Sequence, residues 1–493
     1  MSLIKVSNLS FAYDGSYDMV FENVSFQIDT AWRLGFVGRN GRGKTTFLKL
    51  LLGELEYGGS ISGGVDFEYF PYEVADKQNL TMDVVREIAP DCEDWEVFRE
   101  LSLLEVEDDV IWRPFDTLSG GEQTKVLLAA LFLKGAEFLL IDEPTNHLDG
   151  KARQAVGEYL KRKKGFILVS HDRALLDGCV DHILSINKAN IEVRQGNFST
   201  WWQNKQLQDN FEIAKNEKLK KDIGRLSAAA ARASGWSDRV EKSKFGQKVS
   251  GIKPDKGNIG HKSAKMMKRS KTLESRRQAA LAEKSGLLHN VERDEKLKVS
   301  PLAHYSEQLV QLEDISLFYG DKAVCEGVSF AVNQGERVAL CGRNGCGKSS
   351  ILKLICGEKI AYSGQLCKVS NLKISYVPQK TDHLRGTLTE YARSLDIDES
   401  IFKTILRKMD FERLQFEKDM ADFSEGQKKK VLIAGSLCEQ AHLYIWDEPL
   451  NFIDVISRIQ IEELLLKYQP TLLFVEHDMA FAENIATKSV ELR

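Results

Sequence analysis

Gly38-Arg39-Asn40-Gly41-Arg42-Gly43-Lys44-Thr45 decides the fold of this chain, because the chain writes it twice. The second copy is Gly342-Arg343-Asn344-Gly345-Cys346-Gly347-Lys348-Ser349. Each follows an apolar run, Leu34–Val37 or Val338–Cys341, that reads as a buried strand. Glycines at these positions let successive backbone N–H groups converge on phosphate oxygens, the lysine adds charge, and the hydroxyl binds Mg²⁺. A helix starting at the lysine turns the positive end of its dipole toward the same anion. ATP and Mg²⁺ are therefore the expected ligands. Gly38, Asn40, Gly41, Gly43, Lys44, Thr45 and Thr46 serve one loop; Gly342, Asn344, Gly345, Gly347, Lys348, Ser349 and Ser350 serve the other.

The repeat extends well beyond the loops. Leu9-Ser10-Phe11-Ala12-Tyr13 matches Ile315-Ser316-Leu317-Phe318-Tyr319, and Glu22-Asn23-Val24-Ser25-Phe26 matches Glu326-Gly327-Val328-Ser329-Phe330. Phe138–Ile141 and Leu443–Trp446 read as buried parallel strands ending at Asp142 and Asp447, where a carboxylate holds Mg²⁺ together with Thr45 or Ser349. Glu143 and Glu448, one residue on, are placed as general bases for the attacking water. His171 and His477 follow a further apolar strand in each half and read as γ-phosphate sensors; the plain alternative is a satisfied polar side chain. Tyr13 and Tyr319 are placed to stack on adenine, with simple packing as their alternative.

Composition narrows the class. The 43% hydrophobic and 28% charged fractions are those of a globular protein. No apolar run approaches the ~20 residues that span a bilayer, and the start does not read as a signal peptide. The eight cysteines are scattered without a C-x-x-C pair, as expected of reduced thiols in a cytoplasmic protein. The net charge of −4 hides a basic middle: residues 201–300 hold 24 Lys and Arg against 12 Asp and Glu. Between Trp236 and Lys271 there are eleven basic residues and three acidic ones. Such a segment between two acidic domains points to a polyanion partner, against the plainer reading of a solvated helical arm.

These signals divide the chain into one α/β domain over 1–198, a helical linker over 199–304 and a second α/β domain over 305–493. Within the linker, Leu219, Ile223, Leu226 and Ala230 form one helical face. Gly235, Gly246, Gly251, Pro254, Gly257 and Gly260 are expected to interrupt helix. Met266, Ser270, Leu273 and Ala280 form a second stripe, broken by Arg277 and Lys284. The expected form is an antiparallel two-helix hairpin, each arm of ~30 residues and ~45 Å, with a basic tip loop at about 235–262. Candidate RNA contacts are Trp236, Arg239, Lys242, Lys244, Lys248, Lys253, Lys256, His261, Lys262, Lys265, Lys268 and Arg269.

Leu118-Ser119-Gly120-Gly121-Glu122-Gln123, between the first phosphate loop and Asp142-Glu143, closely resembles the diagnostic signature of the ATP-binding cassette superfamily. Phe423-Ser424-Glu425-Gly426-Gln427 is its counterpart. The resemblance implies composite sites: each phosphate loop faces the other half's signature, so Ser119, Gly121, Ser424 and Gly426 contact ATP across the interface. It also places Gln379 at the Gln-loop position, touching Mg²⁺ and the lytic water. The counterpart of Gln379 is Tyr72, which has no amide oxygen. Glu425 replaces a signature glycine and is expected to bring negative charge near phosphate. Both departures fall in the site of Lys44, Glu143 and Ser424, whereas that of Lys348, Gln379, Glu448 and Ser119 is intact. The intact site is therefore expected to hydrolyse faster.

Paired cassettes joined by a helical linker without membrane spans resemble the ABC-F subfamily. Residues Asp255 to Lys271 and Glu448 to Asp454 resemble its antibiotic-resistance, Lsa-type branch. The resemblance implies an ATPase that binds the E site of the 70S ribosome, with its linker near the P-site tRNA and 23S rRNA. There it would protect the peptidyl-transferase centre from pleuromutilins, lincosamides and streptogramin A. No membrane partner and no stable homo-oligomer are expected. The alternative is a housekeeping ABC-F translation factor without resistance activity. A drug-exporter ATPase subunit is disfavoured by Tyr72 and the basic linker.

Overall fold

The computed structural model describes residues 2–13, 19–146, 148–187, 190–242, 256–287, 301–320, 322–343, 345–409, 411 and 413–492. Two compact units result: Met1–Trp201 with Asp294–Arg493, and Trp202–Arg293. Both α/β domains thus share the first unit.

Each domain is built on a sheet whose strands are apolar on both faces. Phe166–Val169 and Leu472–Val475 are buried at every position, the pattern of a parallel sheet covered on both sides. In the first domain the order is Phe67–Phe70, Phe138–Asp142, Phe166–Val169, Arg33–Val37, His182–Ile186, Ile191–Gln195, with the last strand antiparallel. In the second it is Ile374–Val377, Leu443–Asp447, Leu472–Val475, Arg337–Cys341, Lys488–Glu491. A three-stranded antiparallel sheet accompanies each, with Leu3–Phe11 between Phe21–Asp29 and Gly58–Ser62, and Gln308–Tyr319 between Lys322–Asn333 and Ala361–Lys368. The strand before each phosphate loop is therefore interior. Its loop opens at the carboxyl end of the sheet, two strands from the one that ends in Asp142 or Asp447, where ligands of open α/β sheets bind.

The helix that carries each phosphate-loop lysine is pinned from below. Phe47 is fully buried, with the rings of Phe21, Phe26 and Phe36 5.6–6.2 Å from its own. Truncating such a side chain costs about 3–5 kcal/mol. In the second domain Ile351, Leu352 and Ile355 fill the same position. A separate core surrounds Trp446, whose indole N–H donates to Ser436 Oγ at 3.0 Å.

The linker departs from expectation in its boundaries. Its first helix runs Phe198–Lys242, straight through Gly235, and its second runs Lys256–Leu287, taking in Gly257 and Gly260. An interior glycine costs a helix only about 1 kcal/mol, less than the Ala228–Ala231 run before it and the straight-chain residues around it supply. Gly257 and Gly260 fall in the first turns of their helix, where the cost is smaller still. The tip is correspondingly narrower than 235–262, and residues 243–255 lie outside the described ones. Along the expected stripes Leu219, Ile223 and Leu226 are half-buried, as are Met266, Ser270, Leu273 and Ala280, while the side chain of Ala230 lies outside the described ones. Arg277 stays in its stripe by pairing with Glu274 at 2.6 Å.

The linker's ends also shift. Phe198 and Trp201 are buried in the first domain, and the stretch before 305 joins the second through Leu302 N–H donating to the Ala441 carbonyl at 2.9 Å. Among the described residues, no helix is long and apolar enough to cross a membrane.

Candidate nucleotide sites

The phosphate loops require their glycines. Gly41 and Gly43 adopt φ of 80° and 91°, and Gly345 and Gly347 adopt 81° and 91°, in the left-handed region. A side chain on Gly43 would also begin 2.6 Å from Val20 Cγ1. Helices Lys44–Leu51 and Lys348–Cys356 start without a side-chain cap, which leaves first-turn N–H groups free for an anion. Lys44 Nζ donates to the carbonyls of Gly38 (2.8 Å) and Arg39 (3.2 Å). Lys348 Nζ donates to those of Gly342 and Arg343, both at 2.8 Å. Each ammonium is thereby held over its own loop.

The hydroxyl and carboxylate of each half meet as a hard cation requires. Thr45 Oγ1 donates to Asp142 Oδ2 at 3.1 Å and Ser349 Oγ to Asp447 Oδ1 at 3.0 Å. The other Asp447 oxygen is buried with no protein partner, and burial pushes this carboxyl up to about 6. An all-oxygen set with an unsatisfied acceptor fits Mg²⁺ better than a softer metal.

The two bases sit in contrasting surroundings. Glu448 Oε2 accepts from Gln379 Nε2 at 2.8 Å and from Asn451 Nδ2 at 2.7 Å, while His477 Nε2 lies 3.5 Å from Oε1. Burial alone would raise this carboxyl, but His477, Gln379 and the Lys429 charge outweigh it and hold it down at about 2. Lys429, itself buried, donates to the carbonyls of Pro378 (3.0 Å) and Glu448 (3.1 Å). In the first half Thr124 holds the corresponding place, and its hydroxyl goes to its own helix. Glu143 has His171 Nε2 3.2 Å from Oε1, out of line for a hydrogen bond. Burial and neighbouring Asp142 raise Glu143 to about 8, and burial keeps His171 neutral. Tyr72 does not replace the missing amide: its hydroxyl donates to Glu68 at 3.2 Å and its ring lies under Lys134. Instead Tyr69, three residues earlier, donates to Asp142 Oδ2 at 3.2 Å.

The halves meet around these groups. Asn40 Nδ2, beside Lys44, donates to the Phe452 carbonyl of the second half at 2.6 Å. Gly426 packs against Phe452 and Asn40, so the second signature reaches the first phosphate loop. A cavity of about 330 Å³ opens over the second loop, lined by Lys348, Ser349, Gln379, Glu448 and His477 together with Leu148 and Arg153 of the first half. Thus it is the segment after Glu143 that crosses to this cavity. Ser119, Gly121 and Ser424 do not line it. Ser119 and Ser424 are exposed and cap their own helices at 3.3 Å each.

Glu425 corrects one expectation. Its carboxylate accepts from the buried Thr381 hydroxyl at 2.5 Å and faces Lys428 at 3.5 Å. It is thus held within its own half rather than turned toward phosphate. Tyr13 and Tyr319 keep exposed rings while their hydroxyls meet Thr46 Oγ1 (2.7 Å) and Ser350 Oγ (3.3 Å), beside the phosphate loops.

Several residues escaped the sequence reading, among them Tyr69, Thr381, Lys429, Asn451 and Arg153. Lys429 carried a signal: a lysine on an otherwise apolar helix face is buried only with partners. Asn344, Lys244, Lys248 and Lys253 lie outside the described residues, while Trp236 and Lys242 fall within the first linker helix and Lys256 starts the second. Arg239, His261, Lys262, Lys265, Lys268 and Arg269 are exposed.

Comparison with known proteins agrees with this geometry. The ABC transporter family profile matches residues 21–146 and 325–451. The ribosome protection protein VmlR of Bacillus subtilis is 28% identical over 489 residues, covering 98% of this chain and 85% of VmlR. The uncharacterized ABC transporter ATP-binding protein YkpA of the same organism is 26% identical, covering 99% and 94%. The ATP-binding protein Uup of Caulobacter vibrioides is 26% identical, covering 96% and 74%. Among solved structures, the archaeal ribosome recycling factor aABCE1, in complex with the stalk protein aP1, superposes with a TM-score of 0.63 at 20% identity. It covers 98% of this chain and 87% of that one, a likeness of fold. With both cassettes matched and the similarity running end to end, the chain belongs to the ATP-binding cassette family, as a protein of its ABC-F branch.

Proposed function

We propose that this protein is an ATP-driven ribosome-binding factor that protects the peptidyl-transferase centre from pleuromutilin, lincosamide and streptogramin A antibiotics. The observation that carries this reading is the similarity to VmlR, a ribosome protection protein, over 98% of the chain, linker included. The exposed Lys262, Lys265, Lys268 and Arg269 support an RNA target, since such side chains neutralise backbone phosphates. In this reading the linker acts at the E site beside the P-site tRNA and 23S rRNA, and closure of the cassettes drives binding.

Hydrolysis then resets the clamp. At the second site Glu448, ionised and oriented by Gln379, Asn451 and His477, accepts the proton of the attacking water. Lys348 and the first-turn N–H groups would hold the phosphates, and Ser349 with Asp447, which meet at 3.0 Å, would hold Mg²⁺. When bound, the ion neutralises charge developing on the phosphoryl oxygens. The first site, with a raised Glu143 and no amide at position 72, serves mainly to hold ATP.

The test is co-sedimentation with 70S ribosomes of the Glu143→Gln, Glu448→Gln variant in ATP. Loss of both bases slows turnover by about 10²–10⁴ while leaving binding intact, so the closed form is trapped. No ATP-dependent association would overturn the reading. Unchanged inhibitory concentrations for all three drug classes, with the protein ribosome-bound, would favour a housekeeping translation factor.

A further inference from the structure

Contacts between the two halves of a repeated chain should be pairwise equivalent, and the contact of Arg173 with Glu462 has no charged counterpart. His171-Asp172 is followed by Arg173, whereas His477-Asp478 is followed by Met479. On the helices that begin after Asp149 and Asp454, the eighth residue is Gly157 in the first half and Glu462 in the second. Charges therefore exist at only one of the two related places.

Arg173 Nη2 lies 2.5 Å from Glu462 Oε2, with side chains 13% and 10% exposed. The remaining Glu462 oxygen accepts from Asn484 Nδ2 at 2.6 Å. Arg173 stands two residues after His171, the neighbour of Glu143. Glu462 stands on the same helix, Val455–Tyr468, as Arg458, whose charge acts on both Glu143 and His171. The pair is thus a strut across the interface beside the first composite site. On the other side Met479, the counterpart of Arg173, has its Sδ 3.5 Å from where a side chain on Gly150 would begin, an ordinary van der Waals contact with the first residue of the helix, not with Gly157. A charge-assisted hydrogen bond with little water access is strong and directional, and pulling it apart leaves a poorly solvated charge on each side. A thioether against a glycine separates without that penalty.

We propose that the Arg173–Glu462 pair is a one-sided latch: it holds the first composite site shut on its ATP while the second opens and exchanges. The proposal rests on ATP binding at both sites and not on the ribosome as target, and its test uses no ribosomes.

The experiment is stopped-flow release of N-methylanthraniloyl-ATP from the full chain carrying Glu143→Gln and Glu448→Gln, chased with excess ATP. Two phases are expected, the slow one lost on Lys44→Ala and the fast one on Lys348→Ala. Arg173→Met and the near-isosteric Glu462→Gln should each speed the slow phase tenfold or more, with the fast phase within twofold. Exchanging the charges, Arg173→Glu with Glu462→Arg, should restore slow release, which general damage to the fold would not allow. A single phase overturns the latch, as does a slow phase assigned to Lys348 or unaffected by either single variant. Equal acceleration of both phases, or failure of the exchanged pair, overturns it too. No binding of the analogue to the parent strikes the nucleotide reading itself and the latch with it.

Discussion

Replacing each base singly should divide the ATPase activity very unevenly. Burial and the Asp142 charge raise Glu143, so at pH 7 it is only partly ionised, whereas the partners of Glu448 hold it down and keep it ionised essentially completely. Ionisation alone therefore makes Glu143 the less available base of the two. The missing amide at Tyr72 and the missing cation at Thr124 push the same way. The second site should carry about nine-tenths or more of the turnover. Steady-state phosphate release at saturating Mg²⁺-ATP is then expected to fall about tenfold or more in Glu448→Gln and by less than about a quarter in Glu143→Gln. The loss of a general base, about 10²–10⁴ at its own site, is ample to silence either. Residual activity in Glu448→Gln should rise as pH increases from 7 to 9, because Glu143 gains its charge over that range. Equal losses in the two variants, with analogue binding retained in both, would refute the reasoning.

Three further outcomes follow from the geometry. Glu100, buried with Lys163 Nζ at 2.5 Å and the Tyr159 hydroxyl at 2.6 Å, is held below the usual carboxylate range by these partners despite burial. Its contribution is present above the unfolded carboxylate range and lost as pH falls below it. Glu100→Gln should therefore cost about 1–3 kcal/mol near pH 7, seen as a lower Tm, and progressively less as pH falls below the usual carboxylate range. Tyr319→Ala should weaken analogue binding at the second site by about 0.5–1.5 kcal/mol and Tyr319→Phe by much less, measured by fluorescence titration. Changing Lys262, Lys265, Lys268 and Arg269 to Gln should weaken ribosome association and flatten its dependence on log salt, by roughly 0.7–0.9 for each phosphate no longer neutralised. An unchanged slope would show that these side chains do not meet phosphate.

The parts of the site carried by local pattern were legible in the sequence. Phosphate loops, strand-end aspartates and the following glutamates depend on spacing within a few residues, and each lies where that spacing put it. That Tyr72 offers no amide follows from its residue type, but the part played by Tyr69 does not. Which tyrosine faces Asp142 depends on how Phe67–Phe70 registers with Phe138–Asp142, which spacing does not give. Glu425 was misread because its partner Thr381 lies 44 residues away. Arg173 and Glu462 are 289 residues apart, and no local signal joins them. In the linker, glycines were weighed as breakers without counting the helix formers around them.

The hydrogen bond between Thr381 and Glu425 bears on how this protein should be engineered. A consensus approach would restore glycine at 425 to repair the second signature, which serves the first site. That change would release Thr381, two residues beyond Gln379, whose amide orients Glu448 at the other site. An apparent defect in one motif is therefore part of the support of another, and correcting it toward the family average would impair the half of the enzyme that looked complete.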